Sequence, residues 1–124
     1  MKTLLVIAVS LFLVGNSVHA EVTKEYIYDR ITRYSEQYGV SEGLMTHIVY
    51  KESSFNHRAV GDTHLIDPDG KPHRSLGLTQ INMYWNPSIS ESQAFDVDFS
   101  LDFLAKSLKQ GLCKRWSTCP LSNR

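Results

Sequence analysis

A single glutamate, Glu52, ends an apolar stretch that contains Leu44, Met45, Ile48 and Val49, and Ser53 follows it at once. Further along, Gly77-Leu78-Thr79-Gln80-Ile81 offers a polar amide in a segment entered through glycine. A carboxylic acid facing such a segment suits acid-catalysed cleavage of a glycosidic bond, in which a proton must reach the departing oxygen. A free glutamic acid has a pKa near ~4.3, so the acid must be kept protonated by partial burial and by the negative end of a helix. Glu52 falls four residues after Ile48, on the apolar face, where both effects operate. The ordinary alternative is a surface glutamate paired with Lys51 or Arg58.

The elements that must position these residues are legible from periodicity. Ile27, Ile31, Tyr34 and Tyr38 recur at helical spacing, which predicts a helix from about Thr23 to Tyr38 with Gly39 in the left-handed position that ends it. Ser41 is a good N-cap for a second helix, whose buried side carries Leu44, Met45, Ile48 and Val49 and leads to Glu52. From Ser53 to Ser75 the periodicity is lost. Asp67-Pro68-Asp69-Gly70 is a turn signal, and the residues on either side, Thr63 to Ile66 and Lys71 to Arg74, predict a short irregular hairpin. Leu78, Ile81 and Met83 suggest a short helix broken by Asn86-Pro87. Val97, Leu101, Leu104 and Leu108 then restore a helix from about Asp96 to Gln110, with Asp102 and Lys106 spaced to pair on its surface and Gly111 stopping it. The expected fold class is mainly α (α+β): a helical body with a small β-hairpin or loop lobe, and a substrate cleft between them.

The first twenty residues stand apart. Lys2 is their only charge, Leu4 to Val14 form an apolar run broken only by Ser10, and Val18-His19-Ala20 closes the segment. This pattern reads as a secretory signal peptide cleaved after Ala20, and the run is too short for a membrane span, which needs roughly 20 apolar residues. The expected mature protein, residues 21–124, is a single domain of about 100 residues, exported to the periplasm or secreted, with no stable membrane insertion. The 13 basic and 13 acidic side chains balance, so nothing steers the chain to nucleic acid. Cys113 and Cys119 are the only cysteines, and in an oxidising compartment they are expected to form a disulfide closing a short loop.

Together, Tyr38-Gly39-Val40-Ser41, Tyr50 to Asn56 and Gly77 to Asn82 resemble the soluble lytic transglycosylase (SLT) domain of the lysozyme-like superfamily, over about residues 23 to 110. That family is recognised by a glutamate-serine pair ending a buried helix and by a Gly-Leu-Met-Gln-like segment; here Thr79 stands where methionine is common. The resemblance implies a lysozyme-like fold and cleavage of the β-1,4 bond between N-acetylmuramic acid and N-acetylglucosamine in peptidoglycan glycan strands, without a cofactor. Glu52 becomes acid and then base, Gln80 lines the cleft beside it, and Ser53 orients the sugar or the carboxyl. Without the resemblance, Gln80 reads as a helix-capping amide and Ser53 as a helix-end hydroxyl. Small exported domains of this kind also resemble transglycosylases that serve a cell-envelope secretion or pilus machine.

Glycosidases usually set two carboxyl groups about the scissile bond. Asp62, Asp67 and Asp69 are the candidates for a second one, but all lie in a turn-rich segment where aspartate is the expected loop residue. The resemblance implies chemistry without it: the muramic N-acetyl group assists departure of the leaving sugar, and Glu52 then deprotonates the C6 hydroxyl to give a 1,6-anhydro product. A lysozyme-type hydrolase and a non-catalytic peptidoglycan-binding protein are the alternatives. Tyr84, Trp85 and Trp116 are candidates to stack on sugar rings, although aromatic residues are more often core. His57, His64 and His73 lack the spacing of a metal site, and none is expected. Relatives usually carry a downstream Ala-Tyr-Asn-like motif whose tyrosine contacts the glutamate. This chain has no tyrosine after Gln110, leaving Tyr50, Tyr84 or Trp116 to close the cleft.

Overall fold

The computed structural model describes residues 21–121. The expected signal peptide, residues 1–20, lies outside them.

Helix α1, Lys24–Tyr38, opens on Thr23, whose hydroxyl accepts from the Tyr26 N–H, and ends on Gly39 at φ 65°. Helix α2, Glu42–Ser53, opens on Ser41, which caps the Leu44 N–H. Both starts follow the N-cap logic of a short side-chain oxygen satisfying an orphan donor. Three two-residue strands follow, β1 (Val60–Gly61), β2 (Ser75–Leu76) and β3 (Ile81–Asn82), paired antiparallel in that order. Val60 faces Leu76, and Leu76 faces Ile81. Helix α3, Glu91–Phe95, carries a capping box between Ser90 and Gln93. Helix α4, Val97–Lys109, starts at once from Asp96. A single 3-10 turn, Cys113–Arg115, precedes the terminal loop.

The main core joins Ile27 and Ile31 of α1, Met45, Ile48 and Val49 of α2, and Val97, Leu101 and Leu104 of α4 around Leu78. These are the residues the helical stripes single out, and the stripe positions Tyr34, Tyr38 and Leu108 pack at its edge. The two tyrosines turn their hydroxyls to α4: Tyr34 donates to Asp98 at 3.0 Å and Tyr38 to Asp102 at 2.5 Å. Asp102 is therefore a partner of α1, not of Lys106 as the helical spacing suggests. Arg30 adds an ion pair to Asp98, so one acidic edge of α4 is bound along α1.

The Asp67 turn forms as expected, with its carboxylate accepting from the Asp69 and Lys71 N–H groups at 2.9 Å each. The hairpin around it is reduced to a bridge between Ile66 and Pro72. The expected short helix at Leu78 to Met83 is absent: residues 77–80 make a turn and Ile81 and Asn82 pair with β2. Leu78 and Ile81 are both buried, but in different clusters, so their spacing reflects a reversal of the chain and not one helical face. Helix α3 is an element the periodicity does not predict, being only five residues long.

Candidate active site

Glu52 lies in the last turn of α2 and is partly buried. The helix ends there because Ser54 and Phe55 both adopt left-handed backbone, at φ 50° and 62°. Two successive non-glycine residues in that region are uncommon and mark a tightly specified chain reversal. Burial raises the pKa of Glu52 above its ordinary value; a hydroxyl donated by Thr118 at 2.7 Å opposes this, and the negative charge of Asp62 reinforces it. Neither Lys51 nor Arg58 forms the ion pair that a surface role requires.

Ser53 joins the two sequence motifs. Its buried hydroxyl lies 2.8 Å from the Leu78 carbonyl and 3.0 Å from the Val49 carbonyl, so it serves to seat the 77–81 turn against the end of α2. Gly77 begins that turn at φ 81°, and a Cβ there would fall 2.0 Å from the Ala94 carbonyl oxygen. Both the conformation and the contact demand glycine. Thr79 is fully buried, with its N–H and its hydroxyl on Ser100 of α4.

Gln80 sits at φ 53°, with its amide donating to the carbonyls of Ala59 and Gly77 at 3.1 and 3.0 Å. Its amide oxygen occupies the space left by the missing side chain of Gly61. The residue thus ties the β lobe to the turn and also lines a groove of about 270 Å³, together with Asn82, Trp85, Phe103, Arg115 and Trp116. This groove lies between the lobe and the helical body, and Glu52 is not among the residues that line it.

The aromatic candidates separate. Trp116 is only 4% exposed, packs edge-on to Phe103 and donates its indole N–H to the Thr79 carbonyl at 2.6 Å. It is a wall of the groove and a support for the turn, with no open face for a sugar. Tyr84 stacks on His73 at 4.5 Å and faces a different concavity. Trp85 is 71% exposed and lines the groove itself, with its ring edge-to-face on Tyr84. Tyr50 is exposed and leans on Phe55.

Of the three aspartates, Asp62 alone makes its charge felt at Glu52. It follows β1 at φ 58° and accepts a short hydrogen bond from the buried Ser75 hydroxyl in β2. Cys113 and Cys119 are bonded, with Cα atoms 5.9 Å apart, and the loop they close carries Thr118 to Glu52. Sequence reasoning passed over Thr118; the available signal was the pair of cysteines closing a short loop about Trp116-Ser117-Thr118.

Among the described residues, four helices beside a small three-stranded antiparallel sheet, with a half-buried glutamate ending the second helix, define a mainly α lysozyme-like domain. The transglycosylase SLT domain family matches residues 29–115, and the chain belongs to that family. Membership supports a lytic-transglycosylase type of action on peptidoglycan. No curated protein and no solved structure gives a significant match.

Proposed function

We propose that the domain is a peptidoglycan lytic transglycosylase that cleaves the β-1,4 bond from N-acetylmuramic acid to N-acetylglucosamine and forms 1,6-anhydro-N-acetylmuramic acid, with Glu52 as its one acid and base. The observation that carries this reading is the placement of a partly buried Glu52 at the end of α2, held at one carboxyl oxygen by Thr118 and next to the Ser53 that seats the turn, where burial raises its pKa. Protonated Glu52 gives its proton to the leaving glycosidic oxygen while the muramic acetamido oxygen attacks C1. The resulting carboxylate takes the proton of the C6 hydroxyl, whose oxygen closes on C1 and releases the acetamido group. The proton lost in the first step returns in the second, and no water is consumed. Gln80 and Trp85 offer a polar and an aromatic surface for the glycan in a groove whose lining does not include Glu52 itself.

The apolar N-terminal segment and the disulfide fit export to the periplasm or beyond the cell. The test is digestion of purified sacculi with mass analysis of the released muropeptides. Anhydro products are expected, and their loss in Glu52→Gln. A second reading, hydrolysis, draws on the nearness of Asp62 to Glu52 and predicts products heavier by one water. No release by the wild-type domain would leave a peptidoglycan-binding protein.

A further inference from the structure

We propose that Thr118 is the positioning residue of this site, and that the Cys113–Cys119 loop is the device that presents it to Glu52. The inference rests on Glu52 being the acid. Thr118 donates to Oε1 of Glu52 from 66 positions away, and among the described residues Oε2 takes no hydrogen bond. The contact therefore makes the two carboxyl oxygens inequivalent. With Oε1 engaged as an acceptor, the transferable proton resides on Oε2, the oxygen left open. The same hydroxyl serves both halves of the reaction. It donates to the neutral acid as proton delivery begins, and more strongly to the carboxylate that follows, because charge assistance strengthens a hydrogen bond.

Thr118 is held from both sides. Trp116 is buried and bonded to the Thr79 carbonyl, Cys119 is buried and accepts the disulfide, and its N–H donates to the Trp116 carbonyl at 3.0 Å. Arg115 donates to the Ser107 hydroxyl of α4 at 3.0 Å, fixing the start of the loop to the helical body. A hydroxyl between two such anchors has few rotamers from which to reach Glu52. Residue 118 lies beyond the span matched by the family, residues 29–115, in the loop that the disulfide closes. It supplies a hydroxyl at the carboxyl where the resemblance implies a tyrosine that the chain lacks. Tyr50, Tyr84 and Trp116 do not take that place.

The experiment compares wild type, Thr118→Ser and Thr118→Val, all oxidised, in muropeptide release across pH and in carbon NMR titration of the Glu52 carboxyl. Valine keeps the shape and removes the hydroxyl, whereas serine keeps the hydroxyl. Loss of a hydrogen bond to a charged group predicts a fall of about 10-fold or more in kcat for Thr118→Val, with Thr118→Ser within ~3-fold of wild type. Removing the donor also raises the Glu52 pKa, so the alkaline fall in activity and the NMR titration both move to higher pH. Asp62, the charged group whose field reaches Glu52, is unchanged throughout. An unaltered Glu52 titration in Thr118→Val overturns the proposal, whether or not the domain releases muropeptides. Equal losses in the serine and valine variants would also overturn it, by assigning Thr118 a packing role. Failure of wild type to release any product, with the NMR shift present, would instead remove the catalytic reading of Glu52.

Discussion

The hydroxyls of Thr79 and Ser100 lie 2.8 Å apart in a region from which solvent is excluded. The Thr79 N–H also rests on the Ser100 hydroxyl, at 3.2 Å, so a single serine of α4 satisfies two donors or acceptors of the turn. This pairing gives the buried threonine its physical reason: the hydroxyl has a partner in Ser100. Ser100→Ala leaves the buried Thr79 N–H without its partner, while the Thr79 hydroxyl keeps only the Ser100 carbonyl at 3.4 Å, which costs about 1–3 kcal/mol. Urea denaturation should show that loss with little change in the slope. Thr79→Val, which keeps the N–H bond, should cost less.

Gly77 turns the chain at φ 81° directly against the Ala94 carbonyl of α3. Alanine there meets backbone and not a yielding side chain. Gly77→Ala should destabilise the domain by roughly 2 kcal/mol or more, the sum of a left-handed backbone penalty and an overlap that neither segment relieves easily. A thermal melt well below wild type is the expected result. An unchanged melt would mean that α3 shifts at no cost.

The helical stripes located α1, α2 and α4 because each buries several residues at one spacing, and Thr23, Ser41 and Gly39 set their ends by local capping chemistry. Leu78, Ile81 and Met83 suggest a helix, but apolar residues at such intervals are equally compatible with a tight turn between two clusters. Glu52 and Ser53 were legible as a pair, but the use of Ser53 as a clasp on Leu78 depends on a tertiary contact 25 positions away. Thr118 was hidden for the same reason, since a threonine in a loop carries no signal until the fold brings Glu52 beside it. Trp116 was visible as an aromatic, and only burial shows that its face is taken.

Glu52 should make stability and activity depend on pH in linked ways. Burial raises its folded pKa above the ordinary carboxylic-acid value, so the folded state favours the protonated acid. Below the ordinary value both folded and unfolded chains hold the proton and the full benefit is present; it is lost as pH rises through the folded value. Glu52→Gln cannot ionise. The variant should therefore melt above wild type at pH 7 by a margin that vanishes as pH falls below ~4, while its muropeptide release falls by at least about 100-fold. Calorimetry across pH checks the first part. A variant that melts lower than wild type at pH 7 would contradict the raised pKa.

The disulfide closes a loop with a sequence separation of 6. Chain-entropy arguments assign such a loop roughly 2 kcal/mol, a loss a domain of this size tolerates without unfolding at moderate temperature. Dithiothreitol, which supplies the two electrons and two protons for the thiols, should lower the melting point modestly. Activity at a temperature where the reduced domain remains folded should fall further than stability does, because Thr118 loses its fixed position. Reoxidation should restore both. Equal activity in the two folded forms would show that the loop keeps its place without the bond.

Asp62 and Ser75 form the arrangement most able to alter the chemistry. The aspartate is in left-handed backbone, which asparagine also tolerates, so Asp62→Asn removes charge with little conformational change. Its hydrogen bond from the Ser75 hydroxyl can persist through the amide oxygen. Loss of the negative charge lowers the Glu52 pKa, and the alkaline limb of the activity profile should move to lower pH, opposite to the shift expected for Thr118→Val. If Asp62 acts only through this field, anhydro-muropeptides remain the product and the rate changes several-fold at most. If Asp62 instead activates water or stabilises C1, the wild-type domain releases hydrated muropeptides and Asp62→Asn abolishes them. Product mass and the direction of the pH shift thus separate an electrostatic neighbour from a second catalytic carboxylate.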